Sequence, residues 1–249
     1  MRWLVRLVGA LLVLVLLALG GLWWRMDSLA ERMIERGASE RLGVETEIRS
    51  LLLRPVSGIL SLRGLRIANP PGYDGDFLLV ERARGDLDVS TLRREVIEVR
   101  EVTLTGVALT LEEARGGSNY DAIVANLGRG AKPAADAPGP SVRVHDLYVR
   151  DITATVRLAP APAPPLTFEI PEIHLRDLGG AGGASAGEIT AEVVRAILTA
   201  VATRAPGVPI TLAGRLLTGL GLSGAAEVLR DAGERGLDAA REALREILE

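Results

Sequence analysis

No cysteine occurs in the chain, which excludes disulfides, thiolate metal sites and a cysteine nucleophile. Aromatic residues make up only 3%, and Trp3, Trp23 and Trp24 are three of them, so the remainder carries no stacking platform for single-stranded nucleic acid. An excess of either charge is lacking as well. The net charge is −3, with Lys132 the one lysine, so no strong field draws the whole chain toward nucleic acid or anionic lipid. Histidine is limited to His145 and His174, each expected at a polar, exposed strand position, and no HExxH or paired-histidine spacing occurs. Gly221-Leu222-Ser223-Gly224 is one residue short of a nucleophile elbow. The glycine run 179–183 lacks the Lys-Ser/Thr of a phosphate loop. No catalytic, cofactor or metal site is expected, and the chain does not read as an enzyme.

What the sequence does hold is a repeated strand pattern: apolar, any, apolar, any, any, apolar, any, apolar. It reads Leu60, Leu62, Leu65, Ile67; then Ile97, Val99, Val102, Leu104; then Val142, Val144, Leu147, Val149; then Phe168, Ile170, Ile173, Leu175. A weaker copy is Leu78, Val80, Ala83, Gly85. Period two predicts strands with one dry face, and the two-residue step predicts a bend or bulge at the same place in each. The segments from Ile97 and from Val142 align at an offset of 45 residues, with slips at Arg100-Glu101 and Thr105-Gly106 matching those at His145-Asp146 and Arg150-Asp151. Repeats of this kind point to an extended sheet rather than a closed catalytic fold.

The run from Trp3 to Trp24 contains one charge, Arg6, and would measure about 33 Å as a helix, enough to cross a bilayer. Tryptophans at both ends suit interfacial anchors, and Arg2 and Arg6 favour a cytoplasmic N-terminus. The rival expectation is a cleaved signal peptide, with Ala18-Leu19-Gly20 as its small-x-small site.

Boundaries follow from composition. Residues 1–25 read as a transmembrane anchor and 26–43 as an amphipathic helix. Residues 44–178 read as the sheet domain, with an Ala/Pro/Gly-rich linker at 131–140 and a short helix at Tyr120–Leu127. Residues 179–249 read as a helical region, with helices at Glu188–Arg204 and Ser223–Glu249. The expected fold class is membrane-anchored α+β: a transmembrane helix, a curved and mainly antiparallel sheet forming a U-shaped groove, and C-terminal helices.

Gly58-Ile59-Leu60-Ser61-Leu62-Arg63-Gly64-Leu65-Arg66-Ile67-Ala68-Asn69-Pro70-Pro71-Gly72-Tyr73 resembles the opening strand and Asn-Pro turn of AsmA-like proteins. Phe77 to Ala83 is similar to the strand that follows there. Val96 to Leu111, closed by Gly117-Ser118-Asn119-Tyr120, is similar to the family's next strand and Gly-x-Asn loop. The resemblance implies an inner-membrane, single-pass protein of Gram-negative bacteria, its body periplasmic, with a chorein-like groove associated with phospholipid handling and outer-membrane assembly. On that reading Leu60, Leu62, Leu65, Ile67, Val80, Ile97, Val99, Val102, Leu104, Val142, Val144, Leu147, Val149, Phe168, Ile170, Ile173 and Leu175 line a lipid groove, and Trp3, Trp23 and Trp24 anchor the membrane segment. Expected partners are the membrane, a phospholipid, and an envelope protein or a second copy meeting the sheet edges or C-terminal helix, with no nucleic acid. The alternative is a structural or interaction module whose apolar face is buried under its own C-terminal helices. About six strands at ~4.8 Å spacing span roughly 30 Å, too little to bridge two membranes.

Overall fold

The computed structural model describes residues 31–227 apart from residues 33, 55, 115–116, 129–140, 158–163 and 205–207. A helix α1 covers 31–42 and is followed by strands β1 (Thr46–Arg54), β2 (Ile59–Ala68), β3 (Asp76–Leu87) and β4 (Val96–Ala114). A two-residue strand β5 (Gly117–Ser118) and helix α2 (Asn119–Gly128) lead toward β6 (Ser141–Arg157), β7 (Leu166–Ile170) and β8 (Ile173–Leu178). Helices α3 (Ala186–Arg204) and α4 (Ile210–Gly219) follow, and residues 223–227 are again helical. The rest of the long helix expected to Glu249 lies outside the described residues, as does the linker 131–140.

The strands form one sheet in the order β1-β2-β3-β4-β6-β7, with β8 also on β6 and β5 on β4. The expected α+β class is corrected here: the fold is a mixed α/β arrangement. Most neighbouring strands pair antiparallel, as expected, but the two longest, β4 and β6, run parallel through the middle of the sheet. Parallel neighbours need a crossover of a dozen residues or more, and the stretch containing α2 supplies it. The register joins Ile97 to Val142, Val99 to Val144 and Leu104 to Val149, so the 45-residue internal repeat is the pairing itself. Among the described residues no helix is long and apolar enough to cross a membrane. The span expected at 1–25, with Trp3, Trp23 and Trp24, lies outside them.

The phase slips line up across the sheet. Between paired neighbours, Arg49 of β1, Gly64 of β2, Glu81 of β3, Gly106 of β4 and Asp151 of β6 are each skipped at the same level. Pro171 and Glu172, which separate β7 from β8, continue that line. Proline has no N–H for the ladder, so the last strand breaks there into two pieces. Strands β2, β4 and β6 reach the bend through left-handed backbone, at Gly64 (φ 66°), Gly106 (φ 70°) and Asp151 (φ 52°). A second line runs through Arg100, His145 and Asp177, the last also left-handed. Each slip puts two consecutive residues on the wet face, so apolar side chains on either side of the bend stay on the dry one.

The Asn-Pro turn after β2 and the Gly-Ser-Asn loop before α2 meet in space. Asn119, fully buried, accepts through Oδ1 from the Glu112 N–H at 2.8 Å. Its amide donates to the Thr110 carbonyl and to Asn69 Oδ1, both at 2.8 Å. One side chain thus joins the end of β4, the start of α2 and the Asn-Pro turn after β2.

Asn119→Leu strands these partners and is expected to lower unfolding free energy by about 2–4 kcal/mol in urea titration. At the bend, Asp151→Val is expected to be less stable than Asp151→Gly by about 1–2 kcal/mol in the same assay, since a branched residue resists the left-handed conformation.

Candidate functional site

All seventeen residues expected to line a groove lie on one face. The pairings build ladders across the sheet. One runs Leu53–Leu60–Gly85–Val102–Leu147–Leu175 and the next Leu51–Leu62–Ala83–Leu104–Val149–Ile173. A third runs Ile48–Leu65–Val80–Val107–Ile152–Ile170, and Ile67 and Phe168 belong to the row beyond it. Val99 pairs with Val144, and Ile97 with Val142, toward the other end.

That face is a core. Ile67, Val80, Val99, Leu104, Val144, Leu147, Val149, Ile170 and Ile173 are buried in one cluster, against which the other half-buried seven pack, while Leu62 is buried with Ile48 and Leu51 in a separate small cluster beside Ile34 of α1. The cover comes from α2, α3 and α4, which bring Ile123, Val124, Val194, Ile197, Leu198, Val201, Leu212 and Leu216 into that cluster. Each helix has one apolar side that must leave water, and the dry sheet face is the surface available to take it. The expected U-shaped groove is therefore filled over β4, β6 and β8 by the chain's own helices.

The edge of β1 is covered in a different way. Ser39 Oγ of α1 accepts from the Thr46 N–H at 2.9 Å, and Glu35 Oε1 from the Ile48 N–H at 2.8 Å. Polar side chains of α1 thus occupy positions where another strand would add.

A polar cleft of roughly 140 Å³ lies where α1, α2 and α3 meet, lined by Arg41, Asn126, Glu188, Glu192 and Arg195 among others. Gly37 and Gly187 let α1 cross the start of α3: a Cβ on Gly187 would fall 2.3 Å from the Gly37 carbonyl oxygen. Ser185 and Glu188 form a reciprocal cap, the serine N–H and hydroxyl donating to Oε2 and the Glu188 N–H donating to Ser185 Oγ. Arg41 Nη2 donates to Glu188 Oε1 at 2.8 Å. Burial opposes ionisation of Glu188, but the Ser185 donors and the Arg41 guanidinium outweigh it and hold the carboxyl below the usual range. Burial pushes Glu192 the other way, against Arg195. Arg195 donates to the Leu127 and Leu220 carbonyls, and Asn126 to that of Leu42. Cationic or amide groups therefore meet the C-terminal ends of α1, α2 and α4, where unpaired carbonyls favour them. The signal for this cleft was legible as Ser185-x-x-Glu188, a capping box that the sequence reading passed over by starting the helix at Glu188.

The wet face holds both histidines in ionic clusters rather than as lone polar positions. His174 stacks on Tyr148 with centroids 4.3 Å apart and contacts Asp146 Oδ1 at 2.7 Å. Arg150 lies over the same tyrosine at 5.1 Å and pairs with Glu172. Beside it, a cleft of roughly 490 Å³ opens at the bend between β6 and β7. His145 Nε2 is 2.7 Å from Glu98. Among the described residues no three His, Asp or Glu side chains gather as a metal site.

Because the Glu188 pKa is depressed on folding, its contribution is present above the unfolded carboxylate pKa and is lost as pH falls through the folded one. Glu188→Gln is thus expected to be less stable than the parent at neutral pH, with the gap closing as acid is added, measured by denaturant midpoints across pH. In comparisons with known proteins, no family model matches the chain, and no curated protein matches it.

Proposed function

We propose that the chain is a structural or interaction module of a bacterial envelope assembly, AsmA-like in the order of its strands and turns. Its apolar sheet face serves its own helices rather than a lipid. The observation that carries this reading is the position of α3 and α4: Ile197, Leu198, Val201 and Leu216 share one core with Val99, Leu147 and Val149. A trough filled by helices of its own chain offers no continuous lane for acyl chains, whose transfer needs apolar contact along their length. The resemblance implies a periplasmic setting beside the inner membrane, where a protein about 30 Å across its strands acts locally rather than as a bridge. The working surfaces are then the wet face of the sheet and its ends.

Phospholipid binding is the second reading, favoured by the half-buried state of Leu60, Leu65, Val102 and Leu175. It requires α3 and α4 to swing off the sheet and expose a core, and so it predicts ligand-dependent opening.

Native mass spectrometry of the protein in mild detergent separates the two. The structural reading expects no co-purified phospholipid, and it expects Leu147→Arg to destabilise the fold by more than about 4 kcal/mol, as for a charge placed in a core. Stoichiometric phospholipid that is lost in a Leu147→Arg variant of unchanged melting temperature would establish the lipid reading instead.

A further inference from the structure

Four large apolar side chains are exposed among the described residues, and three of them gather at one end of the sheet. Val56, 82% exposed, stands in the turn between β1 and β2. Val89, 45% exposed, opens the 3-10 turn after β3, and a Cβ on Gly58 of the β1–β2 turn would lie 3.2 Å from it. Leu52, also 45% exposed, is on the outer face of β1. Guanidinium groups surround this tip. Arg54, Arg93 and Arg94 are exposed, and Arg94 acts on the Asp88 carboxylate from a distance.

The excess continues along the outer face. Arg63 of β2 sits directly opposite Arg82 of β3, which reaches Glu81 only at 3.9 Å, and Arg84 lies two residues nearer the tip. Like charges facing each other across an antiparallel pair destabilise a sheet. Elsewhere on that face the arginines are matched: Arg66 with Glu47 and Asp76, Arg100 with Asp86, Arg143 with Asp177, Arg150 with Glu172. Of the carboxylates near the tip, Asp86 is held by Arg100, while Asp88, which caps the Ser90 N–H, and Glu95 stand as negative charges against the three arginines. A net charge of −3 conceals this local positive end.

We propose that this end of the sheet docks on an anionic phospholipid surface, Val56 and Val89 entering the boundary between headgroups and acyl chains while Arg54, Arg93 and Arg94 meet lipid phosphates. Interfacial binding needs both parts, apolar area to bury and cations to hold the headgroups, and here they share one tip. The inference goes beyond the proposed function and does not depend on what the covered sheet face binds.

The chain has no cysteine, so Val56→Cys is a unique labelling position. The full chain carrying an environment-sensitive fluorophore there is compared in vesicles of phosphatidylcholine and in the same vesicles containing phosphatidylglycerol. The label is expected to blue-shift, and to be quenched by lipid-borne quenchers, only with phosphatidylglycerol. A control label at Glu169→Cys, on the opposite edge, stays in water. Each arginine near an anionic surface shifts the docking equilibrium roughly fivefold, so Arg54→Gln, Arg93→Gln and Arg94→Gln together lower the docked-to-undocked ratio on the order of a hundredfold. A Val56 label that stays in water with phosphatidylglycerol overturns the proposal, as does one that enters lipid equally in phosphatidylcholine or in the triple variant. A blue shift that needs no vesicles points to a protein partner and overturns it too.

Discussion

Each of the five long strands turns its backbone through a bend while keeping one face apolar on both sides of it, and the rest of the structure depends on that constraint. A single strand can slip phase at a bulge, but one slip alone would throw its ladder out of step with both neighbours. Here each of the first five long strands contributes one extra residue at one level, Arg49, Gly64, Glu81, Gly106 and Asp151, so the pairings resume unbroken beyond it. Strands β2, β4 and β6 place glycine or aspartate at that level because their backbone is left-handed there. The outcome is a curved sheet with one uninterrupted dry face.

A continuous dry face must be covered or occupied. In the middle of the sheet α2, α3 and α4 cover it, and α1 closes the free edge of β1 with Ser39 and Glu35. The helices are bound to each other by polar contacts that meet at the cleft of Arg41, Glu188 and Arg195, so the cover is tied down at its ends as well as by apolar packing. What remains open to partners is polar or peripheral. The ionic cluster around Tyr148 and His174 occupies one side of the wet face, and the arginine-rich tip lies at the end of β1 to β3.

Much of the sheet was legible because period two and its slip are visible one strand at a time. Each expected strand exists, and the residues named for the dry face all share it. The site was less legible. The burial of Leu147 and Val149 under α3 involves positions some fifty residues apart in the chain, and no local pattern records which apolar helix lies on which apolar sheet. The matched Arg143, paired with Asp177, looks in sequence the same as Arg63, which faces Arg82, because only cross-strand register tells which charge faces which. The Asn119 network was half visible, as two motifs whose hydrogen bond to each other could not be read from either.

By itself the sequence determined the dry faces of the long strands, the level of the bend, and the absence of thiol chemistry. It did not determine strand direction, for a physical reason: the repeat apolar-x-apolar-x-x-apolar-x-apolar reads the same in both directions. The Ile97 and Val142 copies therefore match whether they run parallel or antiparallel, and the 45-residue likeness fits either. Tertiary structure decided for parallel, through a crossover that carries α2 onto the sheet. It also decided that the apolar face is filled over β4, β6 and β8, because an apolar face and apolar helices in one chain bury each other when the connections let them meet.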